Sequence, residues 1–286
     1  MQLYKTSRCL KSCHKYYKTK EEEFVSCNQI LKQNTMKRLS LYIAIFSTLL
    51  FMGCDSEEPE KPEPTPDVVA EMTVEINHTA DNAELEFNSE YVLPSNEKVV
   101  FRRLAYILSN FHLVKSDDTK IELSDQYGFI DARLNKTSFT LNNVPTGDYK
   151  AIGFSIGLDS NINHGNPNVY GVDHPLAPIN NSLHWSWQGG YIFTAIEGKT
   201  MADDESFIFH LAGAQNRLDV VLPIDFTKKE AALAANLQYN LMEIFKNPEV
   251  YSISVDGAST HTVDSPVTMK LLGNMSDIFS MISVNE

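Results

Sequence analysis

From about residue 72 onward the apolar positions fall into short runs in which every second residue is apolar, separated by Gly, Pro, Asn and Asp. Met72, Val74 and Ile76 set the pattern, and Ala83 to Phe87, Lys98 to Val114, Lys120 to Leu123 and Ser138 to Leu141 repeat it. Further runs cover Tyr149 to Leu158, His184 to Ile196, Ser206 to Leu211, Leu218 to Ile224 and Tyr251 to Val255. A period of two places alternate side chains on one face of a strand. So many strands without an alternating helix rhythm predict a mostly β fold, an antiparallel sandwich or barrel-like single domain. Two segments are spaced differently. Leu233, Leu237, Leu241, Ile244 and Phe245 follow the capping-box sequence Thr227-Lys228-Lys229-Glu230 and stop before Pro248. Met269, Leu272, Met275, Phe279 and Ile282 follow Ser265-Pro266. Both predict C-terminal helices that lay an apolar stripe on the sheet.

The first residues follow other rules. Residues 1–35 are rich in Lys and Tyr, lack apolar periodicity, and read as an upstream extension that is not part of the mature protein. Residues 36–53 have the form of a secretory signal: Lys37 and Arg38 supply positive charge and Leu39 to Met52 an apolar stretch. That stretch is shorter than the roughly 20 residues a membrane-crossing helix needs. Leu50-Phe51-Met52-Gly53-Cys54 resembles the box cut by the lipoprotein signal peptidase, which would make Cys54 the lipidated first residue; the alternative is an ordinary cleaved signal with an incidental cysteine. Residues 54–67 then form an acidic, Pro-rich tether, too poor in apolar residues to fold. The globular region is 68–286. This arrangement predicts a cell-envelope protein lipid-anchored to the outer membrane, with the acidic run after the cysteine resembling a surface-export tag.

All four cysteines (Cys9, Cys13, Cys27, Cys54) lie at or before the cut, so the domain has no disulfide, zinc-thiolate site or cysteine nucleophile of its own. From Asp55 onward, 15 Lys and Arg face 34 Asp and Glu, a net charge of −19. Nucleic acid and anionic lipid are disfavoured as partners and cations are favoured. No Gly-x-Ser-x-Gly elbow, phosphate loop or His-Glu-x-x-His helix is present. The expectation is therefore a binding protein and not an enzyme. Asp159-x-Asn161-x-Asn163 opens like a calcium loop, but its glycine is one place late and Tyr170 stands where a bidentate Glu is needed, so it reads as a polar loop.

A series of motifs carries a resemblance. Tyr106-Ile107-Leu108-Ser109-Asn110-Phe111-His112-Leu113, Val144-Pro145-x-Gly147-x-Tyr149, Ile156-Gly157-Leu158-Asp159 and His174-Pro175-Leu176-x-Pro178 come first. Trp185-Ser186-Trp187-x-x-Gly190-Tyr191-x-Phe193, Glu197-Gly198, Phe207-x-Phe209-His210-Leu211, Phe245-Lys246-Asn247-Pro248 and Asn274-Met275-x-x-x-Phe279 follow. In this order and spacing the series resembles the MbnP-like copper-binding proteins over about residues 72 to 283. The resemblance implies an all-β domain that binds one copper ion through imidazoles and a tryptophan oxidised to kynurenine, and a diheme peroxidase-like partner associated with that oxidation.

Seven histidines lie beyond the cut. Imidazole is a good copper ligand, and a site without thiols or a carboxylate ring suits copper better than structural zinc or calcium. Read singly, each histidine is more simply a hydrogen-bonded structural residue. With the resemblance, His174, restrained by the following proline, and His210, on the Ile208 face of its strand, become the favoured ligands. His184 and His261 stand in reserve. Trp185 and Trp187, two residues apart on a strand, are core or rim aromatics by themselves; the resemblance makes one of them the candidate for kynurenine. The expected function is copper uptake, storage or delivery, with a metal-free binding or adhesion module of the same fold as the alternative.

Overall fold

A computed structural model of the chain describes residues 69–185, 189–228 and 233–285. The extension, signal, Cys54 and tether lie outside the described residues, as does Trp187. No described helix is long and apolar enough to cross a membrane.

The strands are β1 (Val69–Ala80), β2 (Ala83–Glu84), β3 (Glu90–Val92), β4 (Lys98–Lys115), β5 (Lys120–Glu122), β6 (Gly128–Asp131), β7 (Ser138–Pro145) and β8 (Gly147–Ile156). They continue with β9 (His184–Trp185), β10 (Gly190–Thr200), β11 (Ser206–Ala212), β12 (Leu218–Lys228), β13 (Leu233–Asn240), β14 (Ser259–Thr260) and β15 (Phe279–Asn285). One sheet runs β15-β13-β1-β2, with β7 also on β1. The larger runs β12-β8-β4-β10-β11-β14, with β3, β5 and β6 on β4 and β9 on β10. Pairing is antiparallel except for β1 with β13 and β11 with β14, which are parallel. The predicted mostly β sandwich is what the chain forms.

The C-terminal region needs correction. Leu233–Asn240 is a strand and not the start of a helix, with its odd-numbered residues buried and its even-numbered ones half-buried. A spacing of four residues is a multiple of two as well as nearly one helical turn, so Leu233, Leu237 and Leu241 fit either element; the intervening Ala235 and Tyr239, also buried, decide for the strand. The second predicted helix exists at Pro266–Gly273, capped by the Ser265 hydroxyl, which accepts from the Thr268 N–H. It ends there, and Phe279 and Ile282 belong to β15. Tyr251 to Val255 is no strand: Ile253–Asp256 is a single helical turn whose first N–H groups, on Ile253 and Ser254, donate to the Glu97 carboxylate.

The main core lies between the sheets. Met72, Val74 and Ile76 of β1 and Leu233, Ala235, Leu237 and Tyr239 of β13 meet Leu104, Tyr106 and Leu108 of β4 and Phe207, Phe209 and Leu211 of β11. The opposite face of the larger sheet is also apolar. Ala105, Ile107, Phe193 and Ala195 form a second cluster with Leu158, Leu176 and Leu183, which belong to the long segment between β8 and β10. That segment leaves β8 at Gly157, whose φ of +108° favours glycine and where any side chain would collide with the Phe193 ring.

His78 continues the buried alternation of β1. Its Nε2 lies 2.8 Å from the Tyr106 hydroxyl, and the Tyr106 ring stacks on Tyr239 at 4.9 Å. Burial pushes its pKa down from 6.5 to about 4. The unfolded chain therefore binds a proton that the folded one refuses between pH 6.5 and about 4. His78 costs the fold nothing above this window, progressively more within it, and no more below it. The integrated loss is about 3 kcal/mol at ~1.4 kcal/mol per pKa unit. Urea denaturation at neutral pH and near pH 4 is expected to show that loss in the parent and a smaller one in His78→Gln, whose side chain does not titrate; equal losses would refute the assignment.

Candidate metal centre

The second face of the larger sheet carries the polar chemistry. Its cover, residues 157–185, is tied down by buried amides and a phenol. Asn163 Oδ1 accepts from the Tyr191 N–H at 2.8 Å, and Asn181 Nδ2 donates to the Pro175 carbonyl at 2.7 Å. The Tyr191 hydroxyl donates to the Leu176 carbonyl at 2.7 Å. Asp159, the first residue of the calcium-like loop, instead caps the short helix Ser160–Asn163, accepting from the Asn161 and Ile162 N–H groups.

The cover ends in β9, which pairs with β10 through Trp185 and Gly190. Gly189 donates back to the Trp185 carbonyl at 2.8 Å. On β11, Phe207 and Phe209 enter the core while His210 faces the other side. The parallel pairing of β14 sets Ser259 opposite Ile208 and Thr260 opposite Phe209, so the next step along the same register brings His261 beside His210 on the same face. Three rings meet there: His210 and His261 at 5.0 Å between centroids, Trp185 at 6.1 Å from His210 and 6.3 Å from His261. A cavity of about 360 Å³ opens beside them, bordered by Trp185, His164, Tyr191, His261 and Asp264.

His210 Nε2 is 3.0 Å from Glu197 Oε1, and the same oxygen accepts from Arg103 at 2.8 Å. The hydrogen bond from His210, with Arg103, holds the Glu197 pKa down at about 2 against the opposing effect of burial. The other ring nitrogen of His210, Nδ1, is buried without a hydrogen-bond partner among the described residues. Burial and the neighbouring His210 lower the His261 pKa, with Glu197 opposing, so its imidazole is neutral at neutral pH.

The sequence candidates are divided by this geometry. His210 and Trp185 come together, and His261, held in reserve, joins them. His174 has other neighbours: its ring stacks on Tyr170 at 4.4 Å, faces Tyr127 at 5.7 Å, and its Nδ1 accepts from the Leu176 N–H at 3.0 Å. His184 packs edge-on against Tyr191 at 4.8 Å. Among the described residues, no three side chains drawn from His, Cys, Asp and Glu converge to hold a metal ion. The residues nonetheless suit copper in part: two imidazoles side by side, one with a buried nitrogen that has no hydrogen-bond partner among the described residues. An intact indole is only a donor and adds no lone pair at nitrogen.

The MbnP family model matches residues 69–265. Among solved structures, the chain is similar to MbnP from Methylosinus trichosporium, with 17% identity over 76% of this chain and 98% of that one and a TM-score of 0.49. No curated protein matches the chain.

The tie between Tyr191 and the cover is open to a direct test. Tyr191→Phe leaves the Leu176 carbonyl without that bond and is expected to cost about 1–2 kcal/mol. Hydrogen exchange should speed up in residues 171–183 more than in β4; equal acceleration throughout would contradict the tie.

Proposed function

The chain belongs to the MbnP family, which is associated with copper in a general sense, and from that premise we propose that it is an exported lipoprotein that binds a copper ion beside Trp185 for uptake, storage or delivery. The single observation that carries the reading is the meeting of the His210, His261 and Trp185 rings within 6.3 Å of one another. Neutral imidazoles are copper's usual nitrogen ligands, and the empty hydrogen-bonding position at His210 Nδ1 supplies one lone pair. His261 supplies the second.

Two imidazoles leave the coordination incomplete, and the missing donor is the role of the tryptophan. Opening the indole to kynurenine removes one carbon, adds one oxygen, and exposes an amine and a carbonyl where the intact ring had only an N–H donor. Trp185, whose ring lies 6.1 Å from that of His210, is the first candidate for this. Trp187 lies outside the described residues and remains the second candidate. The oxidation belongs to a diheme peroxidase-like partner, and the strongly acidic surface favours the approach of a cation. Cys54 carries the lipid that tethers the domain to the outer membrane, and the protein binds its cargo without catalysing a reaction.

Protein purified from its own envelope is expected to contain copper, and a peptide spanning Trp185 and Trp187 to show the loss of one carbon and gain of one oxygen. His210→Ala and His261→Ala should each weaken copper binding by more than the roughly 10–100-fold typical of removing an outer partner of a ligand. His174→Ala should leave it unchanged. Copper bound as tightly by a His210→Ala, His261→Ala double variant as by the parent would overturn the assignment.

A further inference from the structure

The two ring nitrogens of His210 have opposite surroundings. Nε2 faces the Glu197 carboxylate at 3.0 Å, and Nδ1 is buried with no hydrogen-bond partner among the described residues. A neutral imidazole carries one N–H, and a carboxylate only accepts. We infer that Glu197, clamped by Arg103, is the positioning residue of the proposed metal centre: by accepting the Nε2–H of His210 it fixes the tautomer that leaves Nδ1 unprotonated, on a ring that packs against Trp185 and His261. This deepens the copper reading and rests on it for its purpose, although the tautomer itself can be read without metal.

The sheet is built to hold the carboxylate there. Glu197 and Arg103 are direct cross-strand partners on β10 and β4, and the register shifts between Glu197 and Gly198. The extra residue, Arg102, is on β4, so the ladder loses one step beside Glu197. A Cβ at Gly198 would collide with the Val100 carbonyl and the Phe207 ring, so the irregularity depends on glycine. Toward β11 the register is regular: Glu197 pairs with Ile208 and Ala195 with His210, so Glu197 and His210 are diagonal neighbours on one face of the sheet. Arg103 donates to Glu197 Oε1 through one amino group, and the other lies 3.4 Å from the Ser182 carbonyl, three residues before Trp185. One guanidinium thus links the carboxylate behind His210 to the segment that carries the indole. Ligating histidines commonly hand their second nitrogen to a carboxylate in this way, which orients the ring and raises its basicity.

The test uses the full chain produced in its own host, with histidine labelled with nitrogen-15, freed of copper and held well above the usual imidazole range. Long-range proton–nitrogen NMR is expected to show His210 as a single tautomer with the proton on Nε2. Glu197→Gln keeps an oxygen that Arg103 and His210 can share, so it should retain that tautomer and bind copper within a few-fold of the parent. Glu197→Ala should give a mixture of tautomers and lose roughly 10–100-fold in a titration of copper against a chromophoric chelator. If Glu197 were itself a ligand, Glu197→Gln would lose copper as severely as Glu197→Ala, which would overturn the positioning role. A parent His210 protonated on Nδ1 would overturn it as well, even if Glu197→Ala failed to fold. The stated tautomer in a protein that takes up no copper would instead uphold the positioning of the ring and refute the proposed cargo.

Discussion

The larger sheet is apolar on both faces, and everything distinctive about the molecule follows from having to cover the second one. β4 buries Leu104, Tyr106 and Leu108 against the other sheet and Ala105 and Ile107 on its back. β10 likewise leaves almost none of its length exposed. A two-layer sandwich hides only one face of each sheet, so the back requires its own cover, and residues 157–185 provide it with Leu158, Leu176 and Leu183. A covering loop brings backbone polar groups into a dry place, where each needs a partner. Asn163, Asn181 and the Tyr191 hydroxyl answer that need. The proposed metal centre lies where the cover rejoins the sheet, so its indole is positioned by the same packing that makes the sheet stable.

Charge at this edge is arranged in one chain of contacts. Arg103 neutralises Glu197, Glu197 takes up one nitrogen of His210, and the second nitrogen is left without a protein partner among the described residues. A half-buried ion pair of this kind adds little net stability once desolvation is subtracted, and its value lies in orientation. An unpaired buried nitrogen is costly in a protein that never uses it.

Most strands are legible because a period of two survives from Met72 to Ile224. The misreadings have specific causes. Leu233, Leu237 and Leu241 satisfy both periods, and only the burial of Ala235 and Tyr239 separates them. The turn at Ile253 is fixed by Glu97, 156 residues away for the Ile253 N–H, a contact no local window contains. At the site, His210 is readable from the alternation of Phe207, Phe209 and their neighbours. His261 is not, because β14 has two residues and its parallel pairing with β11 is decided by tertiary structure. Glu197 looks like any acidic strand residue until the registers of β4 and β11 place Arg103 and His210 on either side of it.

That two-residue pairing also sets how rigid a two-histidine centre can be. β14 gains little from its own ladder, so His261 is held by what surrounds it. Thr260 Oγ1 lies 2.5 Å from Thr268 Oγ1 and 3.1 Å from Ser265 Oγ, and Thr268 donates to the Thr262 carbonyl at 2.7 Å. Asn216 Nδ2 donates to the Val263 carbonyl and the Ala212 carbonyl, joining the strand's continuation to the end of β11. Thr268 sits in the first turn of the helix Pro266–Gly273 and is fully buried. The helix therefore does more than cover apolar surface: through hydroxyls and carbonyls it fixes the backbone on either side of His261, and with it the spacing between the two imidazoles.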